Sequence, residues 1–305
     1  MGQQEAMPSR NQDSIESLRL VSFADSRLWR SVERLRNQAE NLGLFSSIDI
    51  FTEVSLDTTS TKQLRDLLKP ELKGFGYWAW KPAVILESLK NSVEGDLLLY
   101  VDVGCHLNPK GSGRLDHYFE TVRNANLGIV GFQAYPPMGS PIWDGRWIPS
   151  FPDAQWAKGD LLDHFEVRGR ADIIETPTLG AGVILVRNCE GAKSFLEEWL
   201  HIMVENIALV DDSPSTTDNH PWFIENRHDQ AVFSLLAKTR GIPVLSAFEY
   251  WYPRPNSRKA DWIALAKNPV HARRDLDFGP YAKIATLLRR FARRFGRILA
   301  RGLRY

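Results

Sequence analysis

The chain reads as an α/β protein whose sheet is wound with helices on both faces, and three observations carry that expectation. Leu97 to Val101 is an uninterrupted apolar, partly β-branched run of strand length bounded by polar residues, the pattern of a central strand covered on both sides. The opening runs strand, helix, strand, the start of a βαβ unit with its right-handed crossover. The 305 residues are 43% hydrophobic and 11% aromatic, enough for a sizeable core in one large or two small domains.

Composition also excludes. A formal net charge of +1 argues against a general polyanion binder and against nucleic acid as a partner. Two cysteines, Cys105 and Cys189, give neither a metal spacing nor a disulfide framework, which fits a reducing compartment. No apolar run has the length of a membrane span, and Met1 to Gln12 is polar without a signal-peptide core, so a cytoplasmic protein is expected. Ten tryptophans, several in loops, offer flat surfaces of the kind that meet sugar rings.

In order, residues 1 to 16 are polar and read as a flexible terminus. Leu18 to Ala24 is the first strand and ends at Asp25, which either meets a ligand or caps the helix that follows. Leu28, Val32, Leu35 and Ala39 recur at helical spacing, and Gly43 stops that helix. Ser47 to Phe51 is the second strand.

The stretch Lys73-Gly-Phe-Gly-Tyr-Trp-Ala-Trp-Lys-Pro82 comes next. Pro82 suits the first position of a helix through Leu89, because its missing amide would have no partner there. Lys81 then sits at a helix start, where free amides attract a phosphate or diphosphate, with Trp78 and Trp80 beside it. The alternative is a glycine-rich turn with both tryptophans in the core. No glycine-rich phosphate fingerprint is present.

Asp102 arrives where the apolar strand must stop. Ligands of open α/β sheets bind outside the carboxyl ends of the strands, which places Asp102 to meet a substrate or a cation. Equally, an aspartate there opens a turn by bonding the backbone two residues on. Gly104 lets the chain turn and leaves room for a close ligand.

Beyond it, Leu115 to Asn124 reads as helix and Leu127 to Phe132 as strand. Residues 134 to 158, rich in Pro, Gly and Trp, have the length of a functional loop or lid. Trp156 to Asp163 returns to helix, and Gly182 to Val186 is a further strand. Gly191 to Asn206 is a helix with a core stripe of Phe195, Trp199, Ile202 and Met203. A polar loop, 207 to 221, delivers Arg227-His-Asp-Gln230 at the start of a helix that Gly241 ends. Asp229 has the position of an N-cap, and a cap alone is one reading of it. The other is that a cation, a metal-ligating imidazole, a carboxylate and an amide face one polar ligand.

The Gly-Tyr-Trp-x-Trp-Lys-Pro segment, the Asp-Leu-Leu-Leu-Tyr-Val-Asp-Val-Gly-Cys strand, the Trp-x-Lys-Gly-Asp helix start and the Arg-His-Asp-Gln helix start occur in the order seen in bacterial GT-A fold glycosyltransferases of the polysaccharide type that builds capsule or O-antigen. The chain resembles these enzymes over about residues 18 to 253. The resemblance implies a GT-A-like mixed, mainly parallel sheet and a nucleotide-sugar donor. It also implies an Asp-x-Asp motif holding Mn2+ or Mg2+ against the diphosphate. Here the motif is Asp102-Val-Gly104, one carboxylate short, which bears directly on the metal. The expected metal ligands are Asp102 and His228, and the expected catalytic carboxylates are Asp229 and Asp102. The donor is expected at Asp25, Trp78, Trp80, Lys81, Asp102, Gly104, Arg227 and Gln230.

The tail from Lys283 to Tyr305 holds eight basic residues and no acidic one. Ile284, Leu287, Leu288, Phe291, Phe295, Ile298 and Leu299 share one helical face, with arginines opposite, the pattern of a helix lying on an anionic membrane. Packing of that face on the domain is the alternative. The expected organisation is a terminus (1–16), a transferase domain (17–270) and an amphipathic tail (271–305) that brings the enzyme to the inner face of the cytoplasmic membrane. Two function classes follow: a hexosyltransferase acting on a glycan or lipid-linked acceptor, and a non-catalytic nucleotide-sugar or carbohydrate-binding protein on the same fold.

Overall fold

A computed structural model gives the structure of the protein and describes residues 16–59, 62–135, 151–251 and 262–273. The predicted N-terminal stretch through residue 15, the loop residues 136–150 and the tail from 283 to 305 lie outside the described residues.

The chain begins β1 (Leu18–Phe23), α1 (Trp29–Leu42), β2 (Ser47–Phe51), α2 (Glu53–Thr59), α3 (Lys62–Leu67), a single turn α4 (Gly74–Tyr77) and α5 (Trp80–Lys90). It continues β3 (Leu97–Val101), β4 (His106–Leu107), α6 (Ser112–Arg123), β5 (Ile129–Gln133), α7 (Gly159–His164), α8 (Ala171–Ile174), β6 (Leu179–Arg187) and α9 (Glu190–Glu205). The last described elements are α10 (Asp229–Arg240), β7 (Val244–Ser246), α11 (Trp262–Leu265) and β8 (Val270–His271).

Among the described residues, six strands form one sheet in the order β2-β1-β3-β6-β5-β7. β1 runs parallel to β2 and to β3, and β5 parallel to β7, whereas β6 is antiparallel to both of its neighbours. The mixed, mainly parallel α/β architecture expected from the sequence is therefore present. β4 and β8 pair separately as a small antiparallel ladder, in register His106 with His271.

β3 is the centre, with all five residues buried. Its side chains alternate between the two faces, as the pleat requires. Leu98 and Tyr100 pack among α5, α9 and α10 (Val84, Trp199, Phe233). Leu97, Leu99 and Val101 pack among α1 and α6 (Leu35, Tyr118, Phe119). Burial of each such side chain contributes about 1.5–3 kcal/mol, so the strand is anchored on both faces and its end is a fixed point.

The structure moves several boundaries. α5 starts two residues before Pro82, which still lies in the first turn, where backbone amides have no helical partner. Asp229 is the first helical residue of α10 and His228 holds the cap position, so Asp229 is not the N-cap. The strand predicted at Gly182 to Val186 extends over Leu179–Arg187.

Candidate active site

Three segments distant in sequence meet at the carboxyl end of β3. Asp102 follows the strand directly, and its amide donates to Gly182 O at 2.8 Å. Lys81 comes from the first turn of α5, and Asp229 from the first turn of α10. The Lys81 ammonium lies 3.2 Å from Asp102 Oδ1, 2.7 Å from Asp229 Oδ2 and 3.0 Å from the carbonyl of Ala181. An ammonium has three N–H groups, and here three oxygens surround it. The Asp229 contact is an ion pair that lies off the hydrogen-bond direction. Tyr100 Oη donates to Asp102 Oδ1 at 2.8 Å. β6 makes room for this cluster: a Cβ at Gly182 would sit 3.2 Å from Asp102 Oδ2, and one at Gly180 would sit 2.0 Å from the Tyr250 hydroxyl.

Burial sets the electrostatics. Lys81 is 3% exposed, and an ammonium at that depth is tolerated only with compensating charge. Desolvation acts against its charged form, but the carboxylates of Asp102 and Asp229 outweigh it and raise its pKa. Asp229 is itself buried, and desolvation pushes its carboxyl up to about 6 even though Lys81 works in the opposite direction. Burial, followed by the charge of Asp102, holds the Tyr100 hydroxyl protonated well above its ordinary range. Asp102 is the member that reaches solvent: its side chain is 27% exposed, with Oδ1 engaged by Lys81 and Tyr100 and Oδ2 on the Gly182 side.

His228, next to Asp229, has φ +50 and ψ −120, a backbone conformation rare outside glycine. Its Nδ1 donates to Val210 O at 2.5 Å, which leaves Nε2 as the acceptor nitrogen of the neutral ring. Desolvation lowers its pKa and keeps it neutral. Nε2 has no hydrogen-bond partner and lies 3.4 Å from Asp212 Oδ1. The imidazole packs between Tyr77 and Trp78, with ring centroids 5.2 and 5.7 Å away. Those two rings come from a left-handed turn: φ is positive at Gly74, Phe75, Gly76, Tyr77 and Trp78 in succession.

The other expected site residues separate into two groups. Trp80 is core, stacked on Phe23 at 4.2 Å with its indole N–H donating to Gly74 O. Asp25 caps the turn Ser26–Leu28, accepting from the Arg27 amide at 3.0 Å and from its guanidinium at 2.7 Å, which lowers its pKa. Gly104 is half-buried in the turn after Asp102. Gln230 reaches Thr178 Oγ1 at 3.5 Å. Arg227 lies over the Trp156 ring at 4.2 Å, paired with Glu225 at 3.1 Å, and remains exposed beside His228 and Asp229. In the Trp-x-Lys-Gly-Asp segment, Lys158 is buried and bonds Ala208 O, Asp211 and Ser213, while Asp160 accepts from Thr216 and Thr217. That motif fastens the 207–217 loop, which leads to His228 and Asp229.

These donors do not fit a tightly held divalent cation. Asp102 and His228, the expected ligands, have different partners: Oδ1 of Asp102 is taken by Lys81 and Tyr100, and His228 is turned to Val210 and Asp212. No group of three or more His, Cys, Asp or Glu among the described residues could hold a metal. Gly104 supplies no second carboxylate.

Sequence reasoning missed the role of Tyr100. Its signal was the spacing of two along a strand, which puts it on the same side as Asp102. The Ala181 carbonyl and the tight fit at Gly182 had no signal, because both arise from β6 lying antiparallel beside β3.

No family model matches the chain, and neither does any curated protein. Among solved structures, it is similar to apo mouse xyloside xylosyltransferase 1 (9% identity, 84% of this chain and 97% of that one, TM-score 0.43). It is also similar to the apo bifunctional glycosyltransferase WbbM (11%, 86% and 46%, 0.44). A third is the galactosyltransferase LgtC in complex with donor and acceptor sugar analogs (12%, 83% and 86%, 0.38). The chain thus spans nearly all of the first of these and about half of WbbM.

Proposed function

We propose that the protein is a glycosyltransferase that moves a hexosyl group from a nucleotide sugar to a glycan or lipid-linked acceptor in cell-surface polysaccharide biosynthesis. One observation carries the proposal: three of the segments on which the resemblance rests, those of Lys81, Asp102 and Asp229, meet at the carboxyl end of the central strand with the Lys81 ammonium within 3.2 Å of both carboxylates. That is where open α/β sheets bind ligands.

In this scheme Asp102 is the substrate-facing carboxylate. Oδ1 is locked by Lys81 and Tyr100, and Oδ2 is free to accept from sugar or ribose hydroxyls. Lys81, its ammonium surrounded by three protein oxygens, acts by fixing the two carboxylates and not by holding the diphosphate. Arg227 is an exposed cation beside the site. Held against Trp156, it is placed to meet the charge that gathers on the departing diphosphate. Domain 17–270 holds this chemistry, and the basic tail recruits it to anionic membrane.

A non-catalytic nucleotide-sugar-binding protein is the second reading, favoured by the missing carboxylate at Gly104. Thermal shift against a panel of nucleotide sugars, followed by measured release of free nucleotide, separates the two. A ligand at a hundred times its dissociation constant stabilises by about 2.7 kcal/mol. Stabilisation with turnover supports the transferase; stabilisation without turnover, acceptors included, supports the binding protein. No stabilisation by any nucleotide sugar refutes both.

A further inference from the structure

Resting on the transferase proposed above, we propose that Arg34, assisted by Gln38, is the positioning residue that aims Asp102 at the substrate. The turn after β3 is closed by the Cys105 amide donating to Asp102 O at 2.8 Å. Two of its other carbonyls are held by one side chain: Arg34 Nη2 donates to Val103 O at 2.5 Å, and Nη1 to Cys105 O at 2.8 Å.

Gln38, four residues on and so on the same face of α1, braces the guanidinium by accepting from Nη1 at 3.1 Å. The same Gln38 oxygen accepts from the Leu107 amide at 3.1 Å, and its amide nitrogen is 3.3 Å from His106 Nδ1. The whole stretch from 103 to 107 is therefore fastened to α1 by two side chains. Lys81 and Tyr100 fix the Asp102 carboxylate on one side, and the Arg34 fork fixes the backbone that carries it on the other. A planar guanidinium reaches two divergent carbonyls in a set geometry, which an ammonium does not reproduce.

Hydrogen exchange without substrate tests the placement independently of activity. In Arg34→Ala the Cys105 and Leu107 amides should exchange ~10-fold faster or more, with the β3 amides unchanged. Equal exchange in wild type and variant overturns the proposal. In the transfer assay, Arg34→Ala should lower kcat ~10–100-fold, the usual effect of removing a group that orients a reacting one. The KM for the donor should stay within roughly threefold. In an Asp102→Asn background the same substitution should have no further effect on residual turnover. An equal loss in both backgrounds marks a general structural role and overturns the proposal. Arg36→Ala, on the exposed side of α1, is the control and should match wild type. If Arg34→Ala does not fold, Arg34→Lys carries the same measurements. If wild-type protein turns over no nucleotide sugar, the transferase assignment fails, while the exchange result still decides the placement.

Discussion

At the scale of residues, the site is an ammonium shared by two carboxylates, and its behaviour follows from depth. Lys81 and Asp229 are nearly sealed from water, so removing the cation leaves the buried Asp229 without its ion pair and Asp102 with Tyr100 as its remaining side-chain partner. Lys81→Met should therefore lose about 3–5 kcal/mol of stability, read by denaturant unfolding. Asp229 supplies a pH signature. Its carboxyl is raised to about 6 in the folded chain from the ordinary aspartate value of 3.8, so between those values the folded state holds a proton that the unfolded state has released. Stability from this group is thus highest at low pH and falls as pH rises from about 4 to about 6. Turnover should rise over the upper part of that window as the carboxylate forms, and Asp229→Asn should lack that rise. A wild-type profile flat across about pH 5 to 7 would contradict the expectation that Asp229 serves turnover as a carboxylate. Asp102 and Asp229 were legible in the sequence as polar residues that stop or start apolar patterns. Their joint contact with Lys81 was not, because no local pattern relates residues so far apart.

At the scale of elements, the left-handed turn α4 is where local propensity is overridden. Left-handed backbone costs a non-glycine residue roughly 1–2 kcal/mol, and three such residues follow one another between Gly74 and Trp78 apart from Gly76. Tyr77 and Trp78 are held there by packing on His228, itself at positive φ, so two strained segments brace each other beside the site. Gly74 has φ +61, and a Cβ on it would lie 2.2 Å from the Trp78 ring. Gly74→Ala should therefore cost roughly 2–4 kcal/mol and loosen the Trp78–His228 stack. Gly43 has φ +63 but open space around it, so Gly43→Ala should cost only about 1 kcal/mol. Equal losses in the two variants would show that φ alone, and not the Trp78 contact, governs α4. The sequence pointed to this stretch as unusual and to Pro82 as part of a helix start. Its handedness was hidden, since Gly-Phe-Gly-Tyr-Trp has no local signature of five successive positive φ values.

At the scale of the whole molecule, a sheet wound with helices was legible because strand and helix periods alternate so clearly in the first hundred residues, whereas its mixed character came only as an implication of the resemblance. The reversal of β6 was not, since a fully buried apolar strand reads the same in either direction. Among the described residues no helix is long and apolar enough to cross a membrane, and the proposed contact with a bilayer rests on the basic pattern of the tail sequence. A chain ending near residue 279 should lose sedimentation with anionic vesicles, while binding by the full chain should weaken with salt without vanishing. Salt-independent sedimentation, or equal binding by the shortened chain, would remove the tail from the account.

The segments of Lys81, Asp102 and Asp229 converge, and on the proposed function they present Asp102 to a nucleotide sugar. The most direct measurement of this role is transfer or donor hydrolysis by wild type and Asp102→Asn, with melting temperature and donor affinity recorded on the same samples. Asp102→Asn should melt within a few degrees of wild type, bind the donor within roughly tenfold and lose at least about a hundredfold in kcat. Wild-type turnover by Asp102→Asn would contradict that role.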